Sequence, residues 1–268
     1  MKRRNGIVLF ASVALAAASG VSTAQVAGLV GIHSTEDKLI FIDQSDGSTS
    51  SILPTDPADG LLGLAFDPIS STLFGARQGP GDLVRIDLAT GTFTSIGPLG
   101  FGNVRGLAWD PIGERLLGVG GSADKLFEID TATGAGTAIG SRTLPDGINS
   151  LAFDPISGDI FGANVVANSL VRIDPVTGQA TSVGGFGGFN NVAGLAFDLD
   201  SGTLFGVNGN NNSGGELIRI DTATGAATVV GPLSGGAFAN GLAYVPTPAG
   251  AAVLGVGGLV AARRRRRL

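Results

Sequence analysis

Between residues 26 and 245 the chain repeats itself. A Gly-Leu-Ala-Phe-Asp-Pro run and its variants begin at Gly63, Gly106, Ser150, Gly194 and Gly241, spaced by 43, 44, 44 and 47 residues. A second run, Ile-Asp-x-x-Thr-Gly, sets its carboxylate at Asp43, Asp87, Asp130, Asp174 and Asp221, spaced by 44, 43, 44 and 47. Two independent markers that drift together are not chance similarity. Each unit splits into four short apolar runs. In the second unit these are Leu62–Phe66, Thr72–Gly75, Leu83–Ile86 and Thr92–Ile96; in the fourth, Ser150–Phe153, Asp159–Gly162, Leu170–Ile173 and Ala180–Val183. They have strand length and are rich in Val, Ile, Leu, Phe and Thr. No window sustains a helical period outside the two ends of the chain. Periods of 40–50 residues built from short strands indicate propeller blades.

The Gly-Leu-Ala-Phe-Asp and Ile-Asp-x-x-Thr-Gly runs resemble those of the NHL and YVTN class of β-propellers. The resemblance implies that Gly-Leu-Ala-Phe-Asp is the innermost strand of each blade. The first unit lacks that strand, since Leu29–Ile32 matches the second strand of later units. The chain instead carries a surplus copy at its end, Gly241-Leu242-Ala243-Tyr244-Val245. This is the arrangement ring closure needs, and it abolishes an open edge between blades. The expectation is an all-β domain over residues 25–245: a five-bladed propeller of four-stranded blades closed by the C-terminal strand. An open array that closes by dimerising is the alternative.

The turns are uniform on one face and variable on the other. Asp67, Asp110, Asp154 and Asp198 follow the first strands; the five Asp of the second marker follow the third strands. Asp accepts backbone N–H bonds at the start of such turns, Pro presets the next φ and Gly accepts a positive one. A ring of cation sites is the sharper reading of nine periodic Asp, but a calcium loop needs several ligands from alternate positions and these turns offer one each. Asp198, Asp200 and Ser201 come closest to a pair. Strands alternate in direction, so both turn types share one face, called lower. The second-to-third loops, such as Gly206 to Gly215, and the blade-to-blade loops, such as Gly184 to Gly194, share the upper face. Variable loops on a rigid scaffold suit recognition.

The blade-to-blade loops place Asn103, Arg105, Asn149, Asn190, Asn191 and Asn240 just before innermost strands. Such a ring at the upper mouth of the channel suits a sugar, a peptide or a polar small molecule; the alternative is that Asn and Gly serve left-handed turns. Asn208 and Asn210 to Asn212 read as a mobile surface tip. His33, with Ser34 and Asp37 nearby, reads as an isolated surface histidine, because a catalytic triad needs geometry rather than adjacency. Arg85, Arg172 and Arg219 share one repeat position, held by Glu128 in the third unit, which suggests ion pairs between blades. Trp109 replaces the Phe at 66, 153 and 197 and reads as core. No phosphate-binding loop or dinucleotide fingerprint is present. No catalytic residue, metal or cofactor is expected.

The two ends read as addresses. Residues 1–24 have a basic start (Lys2, Arg3, Arg4), an apolar run from Ile7 to Ala18, and Ser22-Thr23-Ala24 before a cleavage point at Gln25. That is a secretory signal helix for a signal peptidase. At the other end Val245, Pro246, Thr247 and Pro248 precede 14 residues of Ala, Gly, Val and Leu, 249–262, and then Arg263, Arg264, Arg265, Arg266 and Arg267. This order resembles the PEP-CTERM sorting signal of exported bacterial proteins, with Thr247 where that family usually has Glu. The resemblance implies that residues 246–268 form a transient transmembrane helix and a substrate of an exosortase-like enzyme, leaving the protein at the cell surface or released. The alternative is a plain C-terminal anchor.

Charge and composition narrow the function. With the terminal clusters set aside, the body holds nine basic and 22 acidic side chains. A nucleic-acid partner is therefore not expected, since phosphate contacts need a basic face. The chain has no Cys and one His, which excludes disulfides, thiolate zinc sites and multi-imidazole catalysis. The resulting expectation is an exported binding or structural module whose partner is an extracellular polysaccharide or a surface protein. The competing reading is a polysaccharide lyase or hydrolase on a propeller scaffold. Its acid/base pair would come from Asp59, Asp82, Asp124 or Asp146, since Glu36, Glu114, Glu128 and Glu216 fall at unrelated repeat positions.

Overall fold

The computed structural model describes residues 27–247 apart from 34–35, 37, 53–59, 80, 121–123, 142–143, 211–213 and 237. The signal expected at 1–24, Asp59, Pro248 and the tail to Leu268 lie outside the described residues. Among the described residues no helix is long and apolar enough to cross a membrane.

The first three strands, β1 (Gly28–His33), β2 (Lys38–Ile42) and β3 (Thr49–Ser51), form an incomplete meander. Complete meanders follow. The second blade is β4 (Leu61–Asp67), β5 (Thr72–Arg77), β6 (Asp82–Ile86) and β7 (Phe93–Pro98). The third is β8 (Val104–Asp110), β9 (Arg115–Gly120), β10 (Lys125–Ile129) and β11 (Gly136–Ala138). The fourth is β12 (Ile148–Phe153), β13 (Ile160–Asn164), β14 (Ser169–Ile173) and β15 (Ala180–Gly185). The fifth is β16 (Val192–Asp198), β17 (Thr203–Asn210), β18 (Gly214–Ile220) and β19 (Ala227–Pro232). The last strand, β20 (Ala239–Val245), pairs antiparallel with β1, setting Leu29 opposite Tyr244 and Val30 opposite Ala243. The first blade thus reads β20-β1-β2-β3 from the inside out, and the ring of five four-stranded sheets closes on itself without a second copy.

The Leu-Ala step of each repeat explains how the blades pack. Alternate residues of a strand face opposite sides of its sheet. Five apolar clusters fill the five gaps, and each joins the Leu of one innermost strand to the Ala of the preceding blade. Leu107 meets Ala65, Leu151 shares a cluster with Ala108, Leu195 with Ala152, Leu242 with Ala196, and Leu64 with Ala243. A large residue faces a small one in every gap, which lets the innermost strands crowd around a narrow axis. The preceding Gly extends this logic. A Cβ on Gly106 would lie 2.7 Å from the Cα of Ser150 in the next blade, so no side chain fits there without moving that strand.

Each innermost strand carries a β-bulge near its upper end. In β4, β8, β12 and β16 the register skips Leu62, Arg105, Asn149 and Ala193. In β20 the skipped residue is Gly241, at φ 52°. A bulged residue leaves the ladder and its side chain is re-aimed. In four blades the bulge therefore sets one re-aimed side chain at the rim of the channel; in the first blade the bulged residue is Gly241 and the neighbouring Asn240 stays paired with Ile32.

Candidate functional site

The bulges build the upper mouth. At the same repeat position around the axis stand Leu62, Arg105, Asn149, Ala193 and Asn240; Arg105 is exposed and the others are half-buried. Leu62 and Ala193 set apolar groups at this position between the polar ones. Arg105 links two blades. Its Nη1 donates to the Asn149 side-chain oxygen at 3.4 Å and its Nε to the Asn103 side-chain oxygen at 3.3 Å. Gln78 Nε2 of the second blade donates to the same Asn103 oxygen at 2.9 Å. Turning the Asn103 amide over keeps the guanidinium contacts, at 3.1 Å to Nε and 3.2 Å to Nη2. The result is a polar arc across three blades, with a guanidinium at its centre.

The remaining predicted residues serve the backbone. Asn103 and Asn191 both adopt φ 60°, at the turn position that Gly60 and Gly147 occupy in other blades. Asn tolerates that left-handed geometry better than other L-residues. Asn191 N–H donates to Asn168 Oδ1 at 3.3 Å, and its carbonyl accepts from Gly209 N–H at 3.1 Å. Asn190 is exposed and belongs to the same turn. Only Asn103 of these turn residues also reaches Arg105.

A second tier of polar residues lies outside the mouth, where strands two and three of each blade end. The cross-strand pairs are His33 with Lys38, Gly120 with Lys125, Asn164 with Ser169, and Asn208 with Glu216. In the second blade Arg77 Nε and Nη2 grip the carboxylate of Asp82 at 2.8 and 2.6 Å, and Ser95 Oγ donates to it at 2.5 Å. Burial opposes the charge on Asp82, but the hydrogen bonds from Arg77 and Ser95 prevail and hold its pKa below the usual value. That carboxylate is committed to its partners and is not a free acid or base. Asn208 corrects the expectation of a surface tip. The hairpin stays paired to Asn210 and Gly214, and Asn208 is buried with Nδ2 donating to Glu216 Oε2 at 3.0 Å. Asn211 and Asn212 lie outside the described residues. His33 is likewise not isolated: it is half-buried, and its Nδ1 accepts from Glu36 N–H at 3.2 Å.

Asp124 and Asp146, two of the acid/base candidates, come together on the upper face of the third blade. Burial first, then a hydrogen bond that its protonated form donates to Asp146 and the negative charge of Asp146, raise the pKa of Asp124.

The lower end is built differently. All nine periodic Asp act as turn acceptors. Asp67 Oδ1 accepts from Ile69 N–H at 2.8 Å and Oδ2 from Ser70 Oγ at 2.5 Å; Asp130 Oδ1 accepts from Ala132 and Thr133 N–H at 2.7 and 3.0 Å. The others repeat one pattern or the other. Backbone hydrogen bonds hold Asp87, Asp130, Asp174 and Asp221 below the usual carboxylate range. Asp198 and Asp200 do not converge on a cation: Asp198 accepts from its own turn, and Asp200 Oδ2 accepts from Tyr244 O–H at 2.6 Å.

Above these turns the channel encloses about 50 Å³, lined by Leu and Ala of the innermost strands and by Phe66, Trp109, Phe153, Phe197 and Tyr244. Trp109 is thus only half-buried and stacks on Phe74 at 6.4 Å between centroids, with Nε1 buried and unpaired. On the outer strands Glu128 pairs with Arg115 and Arg172 with Asp159, within single blades rather than between them. Arg172 and Arg219 also lie over their cross-strand partners Phe161 and Phe205, 5.9 and 5.7 Å from the ring centroids.

No protein-family model and no curated protein matches this chain. Its fold is similar to solved structures. A chain from a nidogen/laminin complex superposes with a TM-score of 0.57 at 14% identity, covering 81% of this chain and 98% of that one. A Bacteroides thetaiotaomicron protein of unknown function gives 0.53 at 16% identity, covering 77% of this chain and 58% of its own. At such identities the likeness is one of fold. The molecule is a five-bladed β-propeller of four-stranded blades.

Proposed function

We propose that this chain is an exported propeller of the NHL and YVTN type that binds an extracellular polysaccharide through its upper face. One observation carries the reading: bulges in four blades present side chains that vary from blade to blade at the channel mouth, and Arg105 with Asn103, Asn149 and Gln78 makes part of that rim a polar arc. Guanidinium and amide groups suit hydroxyls and carboxylates, and the flanking Leu62 and Ala193 suit the apolar face of a sugar ring. Arg105 favours acidic sugars. The signal at residues 1–24 carries the chain out. The PEP-CTERM-like tail, with Val245 to Pro248, the apolar 249–262 and Arg263 to Arg267, holds it at the envelope until an exosortase-like enzyme acts.

The test is a glycan array that scores both retention and new reducing ends. Uronate-bearing glycans are expected to be retained by the mature protein and lost on Arg105→Ala/Asn149→Ala, with no product. Failure to retain any glycan sinks the polysaccharide reading, and product formation revives the hydrolase or lyase. Tail processing is checked by mass spectrometry of the mature C-terminus: an intact Arg263–Arg267 run on surface protein contradicts the sorting reading.

A further inference from the structure

The register of the closing strand fixes how the disc is held. Gly28 lies opposite Val245, so the start of β1 and the end of β20 meet at the lower rim, beside the axis. Both ends of the ring, Gly28 and Val245, therefore open onto the lower face. Between Val245 and the apolar segment at Ala249 stand only Pro246, Thr247 and Pro248. Four Cα steps reach about 14 Å when fully extended.

We infer that the lower face lies flat against the lipid bilayer that takes residues 249–262, with the channel mouth and its polar arc turned away from the membrane. This rests on the anchor reading above. The short tether excludes the other poses. A four-stranded blade is about 14 Å across between its first and last strand axes, from spacings near 4.8 Å. A disc on edge would hold its axis at least that far from the bilayer, further still once side chains and headgroups are counted. The tether leaves beside the axis and is too short for that.

The surface chemistry agrees. Ile69 and Ile156, on the turns nearest the lower mouth, are 60% and 82% exposed, and Val176 on a neighbouring turn is 76% exposed. Branched aliphatic groups at such exposure gain from entering the interfacial zone. The turn carboxylates on the same face repel anionic lipid, so the matching surface is zwitterionic.

The test uses the absence of Cys from the whole chain. Full-length Ile156→Cys and Val166→Cys carry probes on opposite faces of one blade, at positions of similar exposure, 82% and 71%. Each is labelled with an environment-sensitive fluorophore, incorporated into phosphatidylcholine vesicles and floated on a density gradient. Melting curves matching the parent protein verify the fold of each variant. The expected result is flotation of both, with quenching by spin-labelled lipid at position 156 several-fold stronger than at 166. Equal quenching in floated protein overturns the flat orientation and leaves the anchor standing. Failure to float overturns both.

Discussion

The two ends of the channel follow opposite plans. At the lower end all five blades use an aromatic residue, and the four first-to-second and five third-to-fourth turns all use an Asp acceptor. Every one of these side chains has a structural task. At the upper end the same backbone feature, a bulge, holds Leu62, Arg105, Asn149, Ala193 and, beside Gly241, Asn240. Repetition marks what the ring needs in order to close. Departure from repetition, on a backbone that has not changed, marks where chemistry was free to vary.

The comparison is broken most severely at the crowded axis. Gly106→Val forces a side chain against Ser150 of the next blade. It is expected to destabilise by about 3 kcal/mol or more, as overpacking without room to relax does, read as a fall in the denaturation midpoint or as insoluble protein. Asp67→Ala removes a buried carboxylate with two turn hydrogen bonds and is expected to cost about 1–2 kcal/mol, whereas Asp67→Asn, which keeps a carbonyl acceptor, costs less than half of that. Tyr244→Phe deletes the bond to Asp200 and restores the residue type of the other blades. With both partners partly exposed, its expected cost is about 1 kcal/mol by chemical denaturation.

The turn carboxylates and Asp124 respond to pH with opposite sign. The turn carboxylates have lowered pKa values. Their stabilisation is full above the ordinary Asp pKa and is lost as pH falls through the lowered values. Asp124 has a raised one. Its contribution favours folding below the ordinary Asp pKa and is lost as pH rises through the raised value. Asp124→Asn is thus expected to raise the melting temperature slightly at pH 7 and leave it unchanged near pH 3. The smallest effect on stability belongs to Arg105→Ala/Asn149→Ala: no measurable shift in melting, beside the loss of glycan retention.

Much of the ring was legible in the sequence. The drift of two markers set the number of blades, and the missing first strand with its surplus copy, Gly241 to Val245, foretold the closure. The turn Asp were legible because their chemistry is local. The mouth was legible only in part. Arg105, Asn149 and Asn240 stand at the rim, but which residues leave the ladder was not legible, because residue type was read without register. A bulge moves one residue per strand out of alternation, and no residue type shared by all five strands hints at it. Asn103 and Asn191 left both readings open for a related reason, since left-handed backbone geometry selects Asn and a binding site selects it too. Asn208 misled because a Gly- and Asn-rich stretch looks like a loop even where the pairing continues through it to Asn210.

The closing strand has a mechanical meaning as well. A pull on the C-terminal tail enters the domain at Val245 and runs along the axis of β20. The antiparallel bonds between β20 and β1, from Gly28–Val245 to His33–Ala239, are then loaded in shear and must fail together rather than unzip one by one. The weakest topological point of the ring, where its two chain ends meet, is oriented so that tension from below meets its strongest resistance.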